Sequence, residues 1–154
     1  MNLKTLLEDQ NRFILEELDL VTHQGSDTNI DTRFFEISKA SEQIALHFRL
    51  EQKYLYPVLD KNPANRPLLD KIKKDTETVL TLLEKIPMMH MDEPDLRRYL
   101  MALRKTFAEY VQENEALFFQ HLCDDLSEEQ CSTLAGEINQ RLTHDMLTEP
   151  TLMQ

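Results

Sequence analysis

The chain has 154 residues, of which 28 are acidic and 17 are basic, and its formal net charge is -11. This length predicts one domain with a core of its own. The negative charge argues against nucleic acid and anionic membranes as partners, since both repel an acidic surface, and it is typical of a soluble protein. Only two glycines occur in the chain. Strong helix formers such as Leu, Glu, Lys and Gln are plentiful, so the composition predicts an all-α fold.

The sequence carries few signals of export or of membrane insertion. Residues 1–5 lack the basic segment followed by an apolar one that marks a secretory signal, and no run reaches the length of a membrane span. Cys123 and Cys131 belong to no CxxC or Cys/His motif. The spacing alone allows a disulfide between them, but a reducing cytosol would keep both as thiols. We therefore expect a cytoplasmic protein with reduced cysteines and without a nucleic-acid or membrane partner.

Apolar residues that recur every three or four positions predict four long helices. The first helix covers residues 3–22, and Gly25 follows as its stop signal. The second helix starts near Asp31 or Thr32, either of which can cap it, and continues to about residue 59.

The later helices have similar boundary signals. Pro67 suits the first turn of the third helix and Pro87 ends it. Asp92 can cap the fourth helix. Ser127 and Gln130 have the spacing of a capping box, which predicts a fifth, shorter helix after the fourth.

These elements predict an up-down-up-down four-helix bundle within a single domain, 1–154. The bundle covers about residues 3–122. The short C-terminal helix, over about residues 127–143, is expected to pack across one end of the bundle or to support an interface.

Each of the four apolar stripes contains a polar side chain near its middle. In antiparallel helices of similar length, positions near the middle come to similar heights. We therefore expect these side chains to meet in one central polar pocket. They are Gln10 on the first helix, His47 and Glu51 on the second, Thr76 on the third, and Tyr110 and Asn114 on the fourth.

His47 and Glu51 are the most informative pair, because they lie four residues apart on the apolar face of the second helix. Imidazole and carboxylate groups are costly to bury without partners. A pair of this kind inside a core stripe indicates either a metal site or the remnant of one. The segment from Tyr110 to Gln120 repeats the layout of residues 47–57, with Tyr110 in the place of His47.

The His47-x-x-x-Glu51 motif, with Leu-Tyr-Pro at positions 55–57 and the matching Phe118-Phe119 on the fourth helix, resembles the bacterial hemerythrin-like, or HHE cation-binding, family. The resemblance extends from residue 3 to about residue 122. It implies a four-helix bundle that holds a non-haem di-iron centre and binds or senses oxygen or related small molecules.

The same resemblance implies that most metal ligands have been replaced in this chain. Two irons need on the order of ten filled ligand positions, and His nitrogen is the usual donor beside bridging carboxylates. Only one imidazole remains at the family's ligand positions. The resemblance implies that His47 and Glu51 are kept and that Gln10, Thr76 and Tyr110 stand at His positions. Leu80 stands where a second His of the third helix could lie. On the fourth helix Asn114 replaces a carboxylate, and Glu115 is next to it.

The sequence therefore predicts a degenerate hemerythrin-like protein that has lost its di-iron centre. Neutral side chains that donate and accept hydrogen bonds would surround the remaining pair, and incomplete bonding would raise the pKa of Glu51. We expect a non-enzymatic interaction or regulatory module that has no cofactor and binds a protein partner or a second copy of itself. The alternative is a divergent member that binds one iron or zinc ion, or a small ligand, as a sensor or store, with His47, Glu51 and Glu115 as residual metal candidates.

Overall fold

The computed structural model describes residues 2–23, 29–90 and 94–147, and these are helical except at short connections. The all-α prediction is therefore confirmed. The helices form four long rods and one further helix. The first rod is α1 (Leu3–Thr22), and the second joins α2 (Ile30–Leu50), a π-helical turn (Glu51–Leu55) and α3 (Tyr56–Asp60). The third rod is α4 (Arg66–Lys85), between 3-10 turns at Pro63–Asn65 and Ile86–Met88; the fourth joins α5 (Pro94–Tyr110), a second π-helical turn (Val111–Glu115) and α6 (Ala116–Asp125), and α7 (Glu128–Leu147) follows.

Contacts between side chains show how the rods run relative to one another. Gln10 bonds to His47, and Glu17 pairs with Lys39, so residue numbers rise along α1 as they fall along α2. Asp19 pairs with Arg104 on α5, while Asn11 bonds to a residue further along the same rod. The first rod is therefore antiparallel to both the second and the fourth. This is the arrangement expected of a bundle with alternating directions.

The core consists of the predicted apolar stripes, which face the bundle axis. An aromatic group lies at its centre, where the rings of Phe48, Phe107 and Tyr110 meet mostly edge to face. Burial of one such side chain contributes about 1.5–3 kcal/mol. Large side chains that are almost completely buried occur on all four rods: Leu7, Ile14, Leu18, Ile44, Leu55, Ile72, Leu96, Phe107 and Phe118.

The ends of the helices differ in part from the sequence predictions. The second rod begins at Ile30 because Asn29 caps it, its side chain accepting from the Asp31 backbone N–H. The prediction that Asp31 or Thr32 caps this helix is therefore wrong. Gly25 and Asp92, which were expected to end the first helix and to cap the fourth, lie outside the described residues.

The capping box before α7 is confirmed. The Gln130 backbone N–H donates to the Ser127 hydroxyl, and the Ser127 backbone N–H donates to the Gln130 side chain. The helix that it starts has 20 residues, and it ends at Leu147 rather than near residue 143. Ala135 and Ile138 on α7 are buried, and α7 packs against α1. None of the described helices is both long and apolar enough to cross a membrane.

The two π-helical turns, which were not predicted, lie at the middle of the bundle. Tyr56 donates its backbone N–H to the carbonyl of Glu51, five residues earlier. Pro57 follows at once; a proline within an α-helix lacks a donor and crowds the carbonyl four residues before it. The wider turn accommodates Pro57 without breaking the rod. No proline accompanies the second π-helical turn, and its sequence offers no comparable reason.

Candidate metal site at the centre of the bundle

Three side chains from two rods form a compact polar cluster in the middle of the core. His47 is 0% exposed, Glu51 1% and Glu115 3%. Nε2 of His47 lies 2.7 Å from Oε1 of Glu115 and 3.3 Å from Oε1 of Glu51. One donor atom from each of the three residues lies within 4.8 Å of the other two. Charged groups at this depth need partners, because water cannot solvate them there.

Each member of this cluster is held by one further side chain. Nδ1 of His47 is 2.9 Å from Oε1 of Gln10, and since that oxygen can only accept, Nδ1 carries the proton. The Tyr110 hydroxyl donates to the Glu51 carboxylate, 2.6 and 2.8 Å from its two oxygens. The Asn11 amide donates to Oε2 of Glu115. These contacts orient Nε2 of His47 and Oε1 of each glutamate toward one another.

Burial and charge act against each other on the titration of the cluster. Burial alone would lower the pKa of His47, but the two carboxylates outweigh it and raise that pKa to about 10. Burial raises the pKa of Glu51, although His47 opposes the shift. Burial, together with the charge of Glu51, also raises the pKa of Tyr110. At neutral pH the Tyr110 hydroxyl therefore stays protonated and donates a hydrogen bond to Glu51.

The second π-helical turn explains why Glu115 belongs to the cluster. In an α-helix the residue four positions after Tyr110 would share its face, and that residue is Asn114. Bonding over five residues instead aligns Tyr110 with Glu115. Both side chains consequently point to the bundle centre. On the second rod the π-helical turn begins at Glu51. His47 and Glu51 therefore keep ordinary α-helical spacing.

Two of the six residues expected in the central pocket bond elsewhere. Asn114 is buried, but its amide donates to Asp75 at 2.9 Å and its oxygen accepts from Lys71 at 2.8 Å, both on α4. The Thr76 hydroxyl lies 3.5 Å from the Tyr56 hydroxyl. The other four predicted pocket residues do meet. Asn114 departs because the π-helical turn rotates it toward α4 and puts Glu115 in its place.

Asn11 is the member of the site that the sequence interpretation missed. Its signal was present, because Asn11 stands four residues after Leu7 and three before Ile14, on the apolar stripe of α1. Gln10 and Asn11 are both buried, and each keeps one polar atom without a hydrogen bond, Nε2 of Gln10 and Oδ1 of Asn11. Buried polar atoms of this kind are uncommon in native proteins.

A surface cavity reaches the cluster from one side. Its volume is about 380 Å³, and Glu115 and Asn11 are among the residues that line it. Lys4, Glu8 and Phe119 also line it. Glu115 is thus the one member of the cluster that lines this cavity, whereas His47 and Glu51 do not.

The donor atoms suit one metal ion better than two. A ligand distance of about 2.1 Å places neighbouring donors roughly 3.0–3.4 Å apart around a single ion. The separations of 2.7 and 3.3 Å from the His47 nitrogen are close to that spacing. Two irons would need several more imidazoles. Gln10 and Tyr110 stand beside the cluster instead, and both bond to its members.

Comparison with known families identifies the fold family of the chain. The model of the hemerythrin HHE cation-binding domain matches residues 2–123, about four-fifths of the chain. No curated protein and no solved structure matches the chain. The matched region contains the first three rods, the fourth rod up to Cys123, and every residue of the polar cluster. The chain therefore belongs to the hemerythrin HHE cation-binding family.

Proposed function

We propose that this hemerythrin-like domain has lost its di-iron centre and binds one divalent cation on His47, Glu51 and Glu115. The ion would be iron or zinc, since one imidazole nitrogen and two carboxylate oxygens suit borderline cations of this kind. The domain would act as a sensor or store of that ion. We propose no catalytic role for it.

The observation that carries this proposal is the set of outer contacts, the hydrogen bonds that neighbouring side chains make to His47, Glu51 and Glu115. Ligands of a metal ion are usually held by a second hydrogen bond that fixes their orientation. Gln10 does this for the imidazole, Tyr110 for one carboxylate and Asn11 for the other. In the neutral imidazole the proton stays on Nδ1, where Gln10 accepts it in a hydrogen bond. Nε2, once it has lost its own proton, then has a lone pair that can bind a cation.

The charge of the cluster supports a cation with two positive charges. With a neutral imidazole, the two carboxylates leave the buried group at minus two, which one divalent ion balances. A proton on His47 balances only half of that charge. An uncompensated charge at such depth costs several kcal/mol. The cluster therefore favours either a divalent ion or the uptake of additional protons.

Metal analysis of protein purified without a polyhistidine tag tests the proposal. After exposure to iron(II) or zinc and removal of free ion, we expect one equivalent per chain. Glu115→Gln and His47→Ala should each weaken binding by at least about 100-fold, because each removes a ligand rather than an outer contact, whose loss costs 10- to 100-fold. Glu113→Gln is the matched control, since the side chain of Glu113 is 60% exposed on the same π-helical turn.

Two results would contradict the proposal. Binding of two equivalents that persists in Glu115→Gln would mean that the dinuclear centre of the family is retained with other ligands. Absence of binding in the wild type at metal concentrations well above micromolar would leave the cluster as a hydrogen-bond network only. Circular dichroism on each variant checks that the fold is kept.

A second candidate function is self-association, and exposed apolar side chains at the start of α2 favour it. Ile30 is 58% exposed and Phe34 is 51% exposed, and their spacing of four residues puts them on one face of the helix. Phe35 is exposed beside them. An apolar face of this kind can pair with its copy about a two-fold axis.

Light scattering during size-exclusion chromatography tests self-association. We expect a concentration-dependent dimer that Phe34→Ser shifts toward monomer. The control Ser132→Ala, at an exposed position on α7, should leave the molar mass from light scattering unchanged. A strictly monomeric wild type would exclude this second function without affecting the metal proposal.

A further inference from the structure

The two cysteines of the chain are brought together where the fourth rod meets α7. Cys123 lies in the last turn of α6 and Cys131 in the first turns of α7. Both are free thiols, Cys123 exposed and Cys131 half-buried. They line the same cavity, of about 640 Å³, together with Leu3 and Phe119. They are neither a CxxC motif nor part of the polar cluster.

The connection between the two helices holds the thiols close to each other. Leu126 donates its backbone N–H to Leu122, which closes α6, and the capping box at Ser127 starts α7 directly afterwards. Cys131 donates its backbone N–H to the carbonyl of Ser127. The Cys123 side chain is near enough to interact with the Cys131 thiol. A disulfide needs its two Cα atoms within about 7 Å. Only Leu126 and Ser127 separate the last residue of α6 from the first residue of α7.

We propose that Cys123 and Cys131 are a modification site that closes to an intramolecular disulfide when the protein meets a peroxide, and that small thiols reopen it. This proposal is independent of metal binding. It assigns different parts to the two sulfurs, because their environments differ.

Cys123 should react with the oxidant first. Its side chain is exposed, whereas Cys131 is half-buried. Burial raises the pKa of the Cys131 thiol, and Cys123 beside it raises that pKa further, so less thiolate forms there at neutral pH. The thiolate of Cys123 attacks one oxygen of hydrogen peroxide, the O–O bond breaks, and a sulfenic acid forms while hydroxide leaves.

Cys131 then resolves the sulfenic acid. Its sulfur loses a proton and bonds to the sulfur of Cys123, the S–O bond breaks, and the oxygen leaves as water. Overall, two thiols and one hydrogen peroxide give one disulfide and two waters. Reduction by a small dithiol returns both thiols by exchange.

The position of Cys123 gives the disulfide a consequence for the centre of the bundle. Cys123, Lys4 and Phe119 line both the cavity at the thiols and the cavity that reaches Glu115. Tying α6 to α7 at this point would restrict the approach to Glu115. This consequence rests on the proposed function, whereas the thiol chemistry does not.

The test uses metal-free, full-length protein treated with one to a few equivalents of hydrogen peroxide. We expect thiol titration to fall from two to zero, the intact mass to drop by two hydrogens, and no disulfide-linked dimer to form. Peptide mapping should join the Cys123 and Cys131 peptides, and dithiothreitol should restore both thiols.

Single replacements separate the two roles. In Cys131→Ser, Cys123 should be oxidised at a rate close to that of the wild type and be trapped by a sulfenic-acid reagent. In Cys123→Ser, Cys131 should react at least about tenfold more slowly. The proposal is overturned if wild-type Cys123 proceeds to sulfinic acid while Cys131 stays a thiol, or if only covalent dimers form. The consequence at Glu115 is tested separately with metal-loaded protein. The rate at which a chelator removes the metal is measured with and without the disulfide.

Discussion

The hydrogen bond from Tyr110 to Glu51 can be removed almost without changing the shape of the core. Tyr110→Phe deletes one hydroxyl oxygen and leaves the ring, which stacks on Phe107 and meets the edge of Phe48. The deleted hydroxyl lies 2.6 and 2.8 Å from the two oxygens of Glu51. Because a hydroxyl has a single proton, the substitution removes one charge-assisted hydrogen bond rather than two.

The expected cost follows from the burial of both partners. A hydrogen bond to a charged group is worth about 1.5–3 kcal/mol, and a buried acceptor left without its donor keeps the full desolvation penalty. No cavity forms, since phenylalanine fills the same ring volume, so no packing loss is added. We therefore expect Tyr110→Phe to lower the free energy of unfolding of the metal-free protein by about 1.5–3 kcal/mol.

Tyr56→Phe is the matched control for this substitution. The Tyr56 hydroxyl is 3.5 Å from the neutral Thr76 hydroxyl, a long contact for two oxygens. Its loss should cost no more than about 0.5 kcal/mol. Urea unfolding at pH 7 with a chelator present measures both variants. Equal losses in the two, or a Tyr110 variant within about 0.5 kcal/mol of the wild type, would refute the proposed dependence of Glu51 on Tyr110.

Three further predictions concern the frame around the site. Burial alone would raise the pKa of Asp75, but Lys71 outweighs it and lowers that pKa below its ordinary 3.8. The carboxylate therefore stabilises the fold above pH 3.8 and loses its effect as the pH falls through the lowered value. Since this pair is partly exposed, Asp75→Asn should cost less than about 1 kcal/mol at pH 7, and urea unfolding should show that difference shrinking toward zero in acid. Ser127→Ala should destabilise the start of α7 by about 1 kcal/mol, seen as faster amide exchange there, with Ser132→Ala unchanged. Phe107→Ala should cost about 3–5 kcal/mol in urea unfolding, because the ring is completely buried; a loss below 1 kcal/mol would mean that the core closes the cavity.

Periodicity predicted the parts of the fold that depend on one helix at a time. The stripes on α1 and α4 are buried as expected, and the capping box at Ser127 forms as its spacing indicates. Hydrophobic patterning works for these features because burial of an apolar face decides whether a helix packs. The pattern also placed His47 and Glu51 inside the core, where they lie.

The predictions failed where a local choice had close competitors. Asn29, Asp31 and Thr32 can all cap a helix, and the chain uses Asn29. Asn114 lies outside the central pocket because the π-helical turn interrupts the α-helical spacing on which its prediction depended. The sequence around the second π-helical turn carries no local signal for it, and the turn brings Glu115 to His47 in the core.

The amino-acid sequence by itself determined that this chain forms an acidic, all-helical bundle with an imidazole and a carboxylate in its core, because apolar periodicity and the scarcity of glycine leave few alternatives. Tertiary structure alone decided that Glu115, and not Asn114, completes the group with His47 and Glu51. One extra residue in a helical turn changes which of the following side chains share a face with the preceding ones. Whether that turn forms depends on partners from other rods, here Asn11 and His47, which become neighbours only when the bundle closes.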